Sequence, residues 1–294
     1  MNPLREILSK NEWHEISKLN DVVQNEDWIW AMCCTINCPD VHVLSAIYRY
    51  IVSVVIRRAG IGQIQPGGED FPFGTLISRW NELYLKSNAW DSDVIDFCER
   101  MREFSRTLDG QIDSHLKSFL GLGNVMRSGW MRVIPELKNR SGESVAQHSM
   151  KTAFYAGCLC SEAFAESFLM GLVHDHAELV VGDLTPEQVR DHSEKIRSEC
   201  SAYRRMLDEA GLPDAATERL WQAFETCMTG DSSIAHGLHL ADKIDMALQA
   251  LSYERCFHVD LQEFLDSSWG IVVNAQFAMR NAQLNCKYSR ESLN

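Results

Sequence analysis

Zinc-ribbon cysteine patterns are absent from the sequence, although it contains ten cysteines. There is no CxxC pair, and Cys33, Cys34 and Cys38 have no histidine or cysteine partner at a metal-binding spacing. The N-terminal residues MNPLREILSKNEWHE are polar and lack the apolar region of a signal peptide. We therefore expect scattered, reduced thiols and a cytoplasmic location.

A long apolar run is also absent. The best candidate for a membrane span, residues 41–56, is interrupted by Arg49 and is followed directly by Arg57 and Arg58. Such a segment is too short and too polar to cross a bilayer, so we expect no membrane partner.

Positive charge is scarce. The chain has 28 Lys and Arg residues against 41 Asp and Glu residues, and its formal net charge is −13. An acidic surface argues against binding to a nucleic-acid polymer or to an anionic membrane. It is compatible with a small phosphorylated substrate, because a metal ion and one or two arginines can reverse the field locally.

Alternating strand and helix patterns are missing, which argues against a parallel sheet. Instead, apolar residues recur at intervals of three and four, and this predicts helices almost throughout. The predicted helices span residues 25–37, 40–59, 75–87, 91–118, 144–163, 164–181, 186–210, 214–228, 231–257 and 260–283. The β-branched run within 51–56 leaves a strand as an alternative there. The sequence therefore predicts an all-α protein.

Residues 60–74 form the clearest predicted loop, because they contain five glycines and two prolines. Their GxG is not followed by the rest of a dinucleotide-binding fingerprint. A second group of glycines near residue 120 predicts a domain boundary, with a helical N-terminal domain of unknown role at 1–119 and a second domain at 120–294. The tryptophans of the first domain are expected in its core: Trp13, Trp28, Trp30, Trp80 and Trp90.

Charged side chains follow an apolar run within Gly171–Pro186, GLVHDHAELVVGDLTP. Burying imidazoles and carboxylates is costly unless they are paired or bind a metal ion, so this segment is a candidate site. On a continuous helix, His174 and Glu178 lie about 40° apart, and Asp175 lies within about 100° of both. His176 points about 200° away from His174, so we expect a partly exposed residue that is not a ligand of the same ion.

Further ligands must come from other segments. His148 lies on a predicted helix, and Asp242 interrupts an apolar helix face in HLADKIDMALQA. Two histidines and two carboxylates suit Mn²⁺, Co²⁺, Fe²⁺, Zn²⁺ or Mg²⁺. Four protein ligands leave positions for water and substrate on an octahedral ion. Spacing alone is only moderately specific for a metal site, since a lone histidine on an apolar helix is more often a core residue whose hydrogen bonds are satisfied.

Four blocks of the sequence together resemble the bacterial HD-domain 5′-deoxynucleotidases and their eukaryotic relatives, within the HD-domain phosphohydrolase superfamily. The blocks, in the order typical of that group, are MRSGWMRVIP (Met126–Pro135), ESVAQHS (Glu143–Ser149), HDHAELVVGDLTP (His174–Pro186) and ADKID (Ala241–Asp245). The resemblance covers residues 120–260 and not residues 1–119. It implies an HD-domain helical bundle that hydrolyses the 5′-phosphate of deoxyribonucleoside monophosphates.

The resemblance also implies one divalent ion, with Co²⁺, Mn²⁺ or Mg²⁺ preferred and Zn²⁺ or Fe²⁺ as alternatives. Its ligands would be His148, His174, Asp175 and Asp242. Glu178 matches the residue that orients or activates the attacking water, as a general base should.

The substrate contacts implied by the resemblance are Arg127 for the phosphate, Trp130 for the sugar and Asp183 for the sugar or the water network, with Asp183 also counted as catalytic. His239 and Lys243 are candidates for lining the pocket. Each contact has an alternative reading, since Arg127 could be a surface charge, Trp130 a core residue and Asp183 a turn residue.

Three rival functions stay open at this point. The first is an HD triphosphohydrolase that acts on deoxyribonucleoside triphosphates. The second is a di-iron oxygenase that uses extra histidines, for which the candidates are His192, His236 and His239. The third is a nucleotide-sensing module without turnover. The expected partner is a small-molecule nucleotide, and the resemblance is compatible with a homodimer.

Overall fold

A computed structural model describes residues 16–60, 73–85, 90–111, 114–138, 142–185, 187–230, 232–268 and 270. Helices dominate these residues, and no β-strand occurs among them. The nearest feature to a sheet is one isolated bridge between Met126 and Ser144. The prediction of an all-α fold is confirmed.

Thirteen α-helices are described up to Phe257. In chain order they are α1 (Leu19–Val22), α2 (Asn25–Asn37), α3 (Leu44–Arg58), α4 (Phe73–Leu85), α5 (Ser92–Gln111), α6 (Ser114–Phe119), α7 (Ser128–Val133), α8 (Val145–Leu159), α9 (Phe164–Val173), α10 (Glu178–Val181), α11 (His192–Glu209), α12 (Asp214–Thr229) and α13 (Ser233–Phe257). Residues 262–268 form a further helical segment.

The first two predicted helices are found where the apolar periodicity placed them. Helix α2 has the predicted bounds, and α3 follows a short 3-10 turn at Val41–Val43. The β-branched run within 51–56 lies inside α3, so the strand alternative is wrong. Because most of this run is buried against other helices, tertiary packing outweighs its weak local preference for strand.

The predicted helix 164–181 is wrong in its second half. Helix α9 ends at Val173, residues 174–177 form turns, and α10 then begins at Glu178. The backbone N–H of His176 donates to the carbonyl of Val173, and that of Glu178 to the carbonyl of Asp175. These three-residue spacings tighten the backbone relative to an α-helix, and apolar periodicity does not reveal them.

Two predicted helix starts also need correction. The helix predicted from residue 186 begins at His192, where the Asp191 side chain accepts from the Ser193 backbone N–H at 2.8 Å. The helix predicted from residue 231 begins at Ser233 and is capped by Ser232. Residues 186 and 231 lie outside the described part of the chain, as do most of the predicted loop 60–74 and the end of the predicted helix 260–283.

Helices α8, α9 and α13 pack against one another at the centre of the fold. The contact between α8 and α9 is close at Gly171, where a Cβ atom would approach the Ala153 Cα within 2.3 Å. Only glycine permits this approach. It brings the end of α9, which precedes His174, close to the helix that carries His148.

The N-terminal helices share one buried core with the rest of the protein. Helix α2 packs on α5, α8 and α12, and the fully buried Trp28 donates its indole N–H to the Leu172 carbonyl at 2.9 Å. Trp30 and Trp80 are also buried, Trp90 is half-buried, and Trp13 lies outside the described residues. The boundary near residue 120 stays a prediction.

No single helix within the described residues has the length and apolar character required to cross a membrane. Two consecutive segments, Val145–Leu159 and Ser161–Val181, reach that character only as a pair, and the pair is bent by 117° at its break.

Candidate metal centre

Four side chains predicted as metal ligands converge at the centre of the fold. His148 comes from the first turns of α8, His174 and Asp175 follow α9, and Asp242 lies on α13. The His148 Nε2 atom lies 3.3 Å from the His174 Nε2 atom and 3.3 Å from an Asp242 oxygen. One Asp175 oxygen lies 3.5 Å from the His148 Nε2 atom and 3.2 Å from the His174 Nε2 atom.

Local sequence explains how His148 is positioned. Ser144 caps α8 in a reciprocal arrangement, because its hydroxyl accepts from the Gln147 N–H while its own N–H donates to the Gln147 side chain. This capping box fixes the first turn of the helix, and His148 follows directly. The Ser144 hydroxyl also lies 2.6 Å from the Asn25 side chain, so α2 supports the same turn.

The outer nitrogens of the two imidazoles define their tautomers. The His174 Nδ1 atom lies 2.9 Å from the Gly171 carbonyl oxygen, which can only accept, so Nδ1 carries the proton. The His148 Nδ1 atom lies 2.7 Å from the Asp245 carboxylate and donates to it in the same way. Metal ligation requires both rings to be neutral, and the lone pairs of the two Nε2 atoms would then face each other instead of forming a hydrogen bond.

Two imidazole nitrogens and two carboxylate oxygens in this arrangement fit a borderline or hard divalent cation. His148, His174 and Asp242 form one of the groups in the described residues that could hold a metal ion. The surroundings also favour positive charge, since burial and Arg127 lower the pKa of His148 but its bonds to Asp242 and Asp245 raise it to about 9.

Arg127 lies beside this centre and is not a surface charge. Its side chain is 15% exposed, and Nη1 lies 3.2 Å from an Asp175 oxygen. The residue stands immediately before α7. The backbone N–H of Ser128 donates to the Asp183 carboxylate, and the Ser128 hydroxyl donates to the Asp183 carbonyl at 2.7 Å. Asp183 therefore anchors the turn that carries Arg127.

Glu178 is the first residue of α10 and is almost fully buried. Burial raises the pKa of its carboxyl group well above the usual value, and the charges of Asp175 and Asp183 raise it further. Its Oε2 atom has no hydrogen-bond partner among the described protein groups. A buried carboxyl oxygen without a protein partner is able to accept from a water molecule or a ligand.

The other predicted pocket residues have different settings. Trp130 is buried, donates its indole N–H to Glu143 at 2.7 Å, and packs against Phe264 with ring centroids 4.4 Å apart. Lys243 lies 2.9 Å from an Asp242 oxygen. His239 is exposed on α13, one turn before Asp242. Trp130 is therefore a core residue, and Lys243 lies beside Asp242, a predicted metal ligand.

His176 differs from the prediction in its exposure. The expectation of a partly exposed residue is wrong, because the side chain is completely buried. Its Nε2 atom lies 2.8 Å from the Phe119 carbonyl oxygen, and its ring meets Trp28 edge-on at 5.0 Å. Burial lowers the pKa of His176 to about 4. The turn after α9 directs this residue into an aromatic cluster, away from the four side chains predicted as ligands.

A group of buried charged residues behind His148 was not predicted from the sequence. Lys151, on α8, lies 2.6 Å from a Glu143 oxygen and 3.2 Å from an Asp245 oxygen, and all three side chains are buried. Burial alone would lower the pKa of Lys151, but the charges of Asp245 and Glu143 raise it. The available signal was a lysine three residues after His148 within an otherwise apolar helical pattern.

The three additional histidines do not join a candidate metal group. His192 begins α11, and His236 and His239 are exposed on α13. Within the described residues, the two groups able to hold a metal are His148 with His174 and Asp242, and His148 with Glu143 and Asp245. His192, His236 and His239 belong to neither group.

One protein-family model matches the part of the chain that carries these side chains. The family model of the HD domain matches residues 121–279, which is more than half of the chain. The chain belongs to the HD domain family. The match begins next to the glycines at which the sequence predicted a boundary, and it spans all four converging side chains.

Curated relatives of this HD domain protein extend the comparison. The 5′-deoxynucleotidase HDDC2 of Dictyostelium discoideum is 32% identical over 165 residues, which is 51% of this chain and 83% of that protein. The human 5′-deoxynucleotidase HDDC2 is 31% identical over 175 residues, which is 56% of this chain and 82% of that protein. The resemblance found in the sequence is confirmed, and the chain is a phosphohydrolase of the HD domain family.

Proposed function

We propose that this HD domain protein hydrolyses the 5′-phosphate of deoxyribonucleoside monophosphates to a deoxynucleoside and inorganic phosphate. The observation that carries the proposal is the convergence of two imidazole nitrogens and two carboxylates beside Arg127 and the buried Glu178. Relatives named 5′-deoxynucleotidase support the choice of substrate.

One divalent ion would be held by the four converging side chains: His148, His174, Asp175 and Asp242. When bound, such an ion supplies Lewis-acid chemistry at the phosphate and lowers the pKa of water. Co²⁺, Mn²⁺ and Mg²⁺ are the preferred candidates. The placement of His192, His236 and His239 outside the candidate metal groups supports one ion rather than two.

Glu178 would orient the attacking water and accept its proton. Two properties support this role: the unpartnered Oε2 atom can accept a hydrogen bond from water, and the raised pKa brings the group toward the working pH of a general base. The role requires the ionised form of the carboxyl group. A cation beside Asp175 would stabilise that form.

Arg127 would bind the transferring phosphoryl group. Its planar guanidinium presents several N–H donors that match phosphate oxygens, and one of them already lies near Asp175. Stabilising the charge on the equatorial oxygens is the main contribution that a protein makes to phosphoryl transfer. Asp183 would position Arg127 through the Ser128 turn and contact the sugar or the water network.

The sugar end of the site is assigned to Trp130, which lies on the same short helix as the Ser128 turn. From its buried position it would define the space available at the sugar and so favour deoxyribose. Lys243 and His239 would line the rim, where Lys243 adds positive charge close to Asp242. A homodimer and a cytoplasmic location stay predictions.

The experiment that tests this function identifies the products. Purified protein is incubated with deoxyribonucleoside monophosphates, ribonucleoside monophosphates and deoxyribonucleoside triphosphates in Co²⁺, Mn²⁺ or Mg²⁺, and the products are separated by chromatography. We expect deoxynucleoside and inorganic phosphate from the deoxyribonucleoside monophosphates, and slower release from the ribonucleotides. Release of triphosphate would identify a triphosphohydrolase instead, and binding without turnover would identify a nucleotide sensor.

A further inference from the structure

A buried ammonium group lies directly behind the metal centre. Lys151 Nζ is surrounded by four oxygen atoms: Glu143 Oε1 at 2.6 Å, Gln249 Oε1 at 2.9 Å, Asn20 Oδ1 at 3.1 Å and Asp245 Oδ1 at 3.2 Å. The three N–H groups of the ammonium donate to Glu143, Gln249 and Asn20, and Asp245 Oδ1 is paired with it by charge. The side chain is 2% exposed. This is the environment of a bound cation rather than of a surface lysine.

The oxygens around Lys151 form part of a second cluster with metal-binding geometry. Glu143, His148 and Asp245 are buried and have ligand atoms within 4.8 Å of one another. The ammonium group of Lys151 is close to both carboxylates of that cluster. It therefore supplies the positive charge that two buried carboxylates require, and it does so without a second ion.

The same carboxylate links Lys151 to a predicted metal ligand. One oxygen of Asp245 faces Lys151, and the other accepts the Nδ1–H of His148 at 2.7 Å. The attraction between the Lys151 ammonium group and Oδ1 orients the Asp245 carboxylate, so Oδ2 stays directed toward His148. His148 Nδ1 therefore stays protonated, and Nε2 stays directed toward His174 and Asp242. Such outer contacts orient metal-binding histidines and raise their basicity.

We propose that Lys151 is a positioning residue that acts through Asp245 to fix the tautomer and direction of His148, in place of a second metal ion. The inference rests on the proposed role of His148 as a metal ligand. It assigns no contact between Lys151 and the substrate. Its consequence is measurable in the affinity for the ion, separately from turnover.

Matched methionine variants test the proposal. Lys151→Met and Gln249→Met place the same apolar side chain in the same buried network, but only Lys151 contacts Asp245. The measurement is the dissociation constant for Mn²⁺ by calorimetry on the full chain, with thermal unfolding as a check on folding. We expect Lys151→Met to weaken Mn²⁺ binding about 10-fold or more and Gln249→Met to stay within about 3-fold of wild type.

A double variant separates positioning from general damage. Asp245→Asn removes the charge that Lys151 faces, so the loss of Mn²⁺ affinity in the Lys151→Met/Asp245→Asn double variant should not exceed the larger single loss. If Lys151→Met does not fold, Lys151→Gln carries the test, because its amide keeps a hydrogen-bond donor in the buried network but has no charge to pair with Asp245. It too is expected to bind Mn²⁺ more weakly than wild type.

Three results would overturn the inference. These are wild-type Mn²⁺ affinity in the folded lysine variant, an equal loss in Gln249→Met, and losses that multiply in the double variant. A wild-type protein that binds no divalent ion would refute the proposed function and this inference together. Wild-type affinity in the lysine variant, with normal binding in the parent, refutes the inference alone.

Discussion

The two histidines of the candidate metal centre donate their Nδ1–H groups to different kinds of acceptor. His174 donates to a main-chain carbonyl at Gly171, whereas His148 donates to the carboxylate of Asp245. A carboxylate increases the basicity of the ring more than a carbonyl does, because the bond is charge-assisted. His148 is therefore the more strongly polarised of the two proposed ligands.

A first prediction concerns Arg127. Arg127→Ala should lower kcat/KM for a deoxyribonucleoside monophosphate by about 100-fold or more, because the charge on the phosphoryl oxygens loses its donors. Metal affinity should not fall, since the change removes a cation from the neighbourhood of Asp175. Arg132→Ala is the matched control, because Arg132 lies on α7, which Arg127 directly precedes, but pairs with Glu263 at the surface. Steady-state kinetics within 3-fold of wild type in Arg127→Ala would contradict the phosphate role.

A second prediction concerns His176 and pH. Its pKa is about 4 in the folded protein, below the ordinary 6.5, so the unfolded chain binds the extra proton first as the pH falls. The stability contributed by the neutral ring is present above pH 6.5 and is lost between about pH 6.5 and 4. Between pH 7 and 5 this amounts to about 2 kcal/mol of the free energy of unfolding. Urea unfolding of His176→Gln should show a correspondingly smaller loss, and an unchanged pH dependence would contradict the assignment.

At the scale of elements, the break between α9 and α10 determines how the site is built. Because α9 ends at Val173, His174 and Asp175 lie in turns rather than on a regular helix face, and His176 turns into the aromatic cluster around Trp28. Helix α2 therefore supports the segment that carries two of the proposed ligands. Trp28 provides a direct contact for this support, because its indole N–H donates a hydrogen bond to the carbonyl of Leu172.

A third prediction follows for α2. Trp28→Phe removes a buried hydrogen bond and part of a large ring, so it should destabilise the protein by about 2 kcal/mol. It should also weaken Mn²⁺ binding several-fold, because Leu172 lies two residues before His174, the first proposed ligand of that segment. Trp30→Phe is the matched control, since Trp30 donates to the Cys98 carbonyl at 2.7 Å, away from the site. Equal effects of both variants on metal affinity would argue against support by α2.

Some features of the site could be predicted from the sequence, and others could not. The four proposed ligands were predicted because their motifs are local, and the structure brings them within about 3.5 Å of one another in the contacts measured. The turn after Val173 was missed because apolar residues recur at helical spacing before and after it, so their periodicity does not show the break. The Lys151 network was missed because His148 and Asp245 lie 97 positions apart in the chain, so no local pattern links them.

At the scale of the whole molecule, the chain is acidic, but two of its buried cationic side chains lie close to the proposed ligands. The net charge is −13, yet Arg127 and Lys151 are largely buried near the proposed ligands. The buried apolar side chains meanwhile form one continuous cluster on both sides of residue 120. A family match that begins at residue 121 therefore describes a segment whose core is shared with the N-terminal helices.

A fourth prediction concerns unfolding of the complete chain. Because the core is continuous, thermal unfolding should occur in one transition. A divalent ion at about 100 times its dissociation constant should stabilise the folded state by about 2.7 kcal/mol, which raises Tm by about 5 °C over the chelated protein. Calorimetry with Mn²⁺ or with EDTA measures both. Two transitions, of which the ion shifts only one, would instead support independent domains divided near residue 120.

The most direct measurement is phosphate release by Glu178→Gln, with Glu194→Gln on the surface of α11 as its control. The variant keeps the shape of the side chain but cannot accept the proton of the attacking water. With a deoxyribonucleoside monophosphate and saturating Mn²⁺, we expect kcat to fall by about 100-fold to 10,000-fold while the Mn²⁺ dissociation constant stays within about 3-fold of wild type. Full activity in Glu178→Gln would contradict the proposed mechanism.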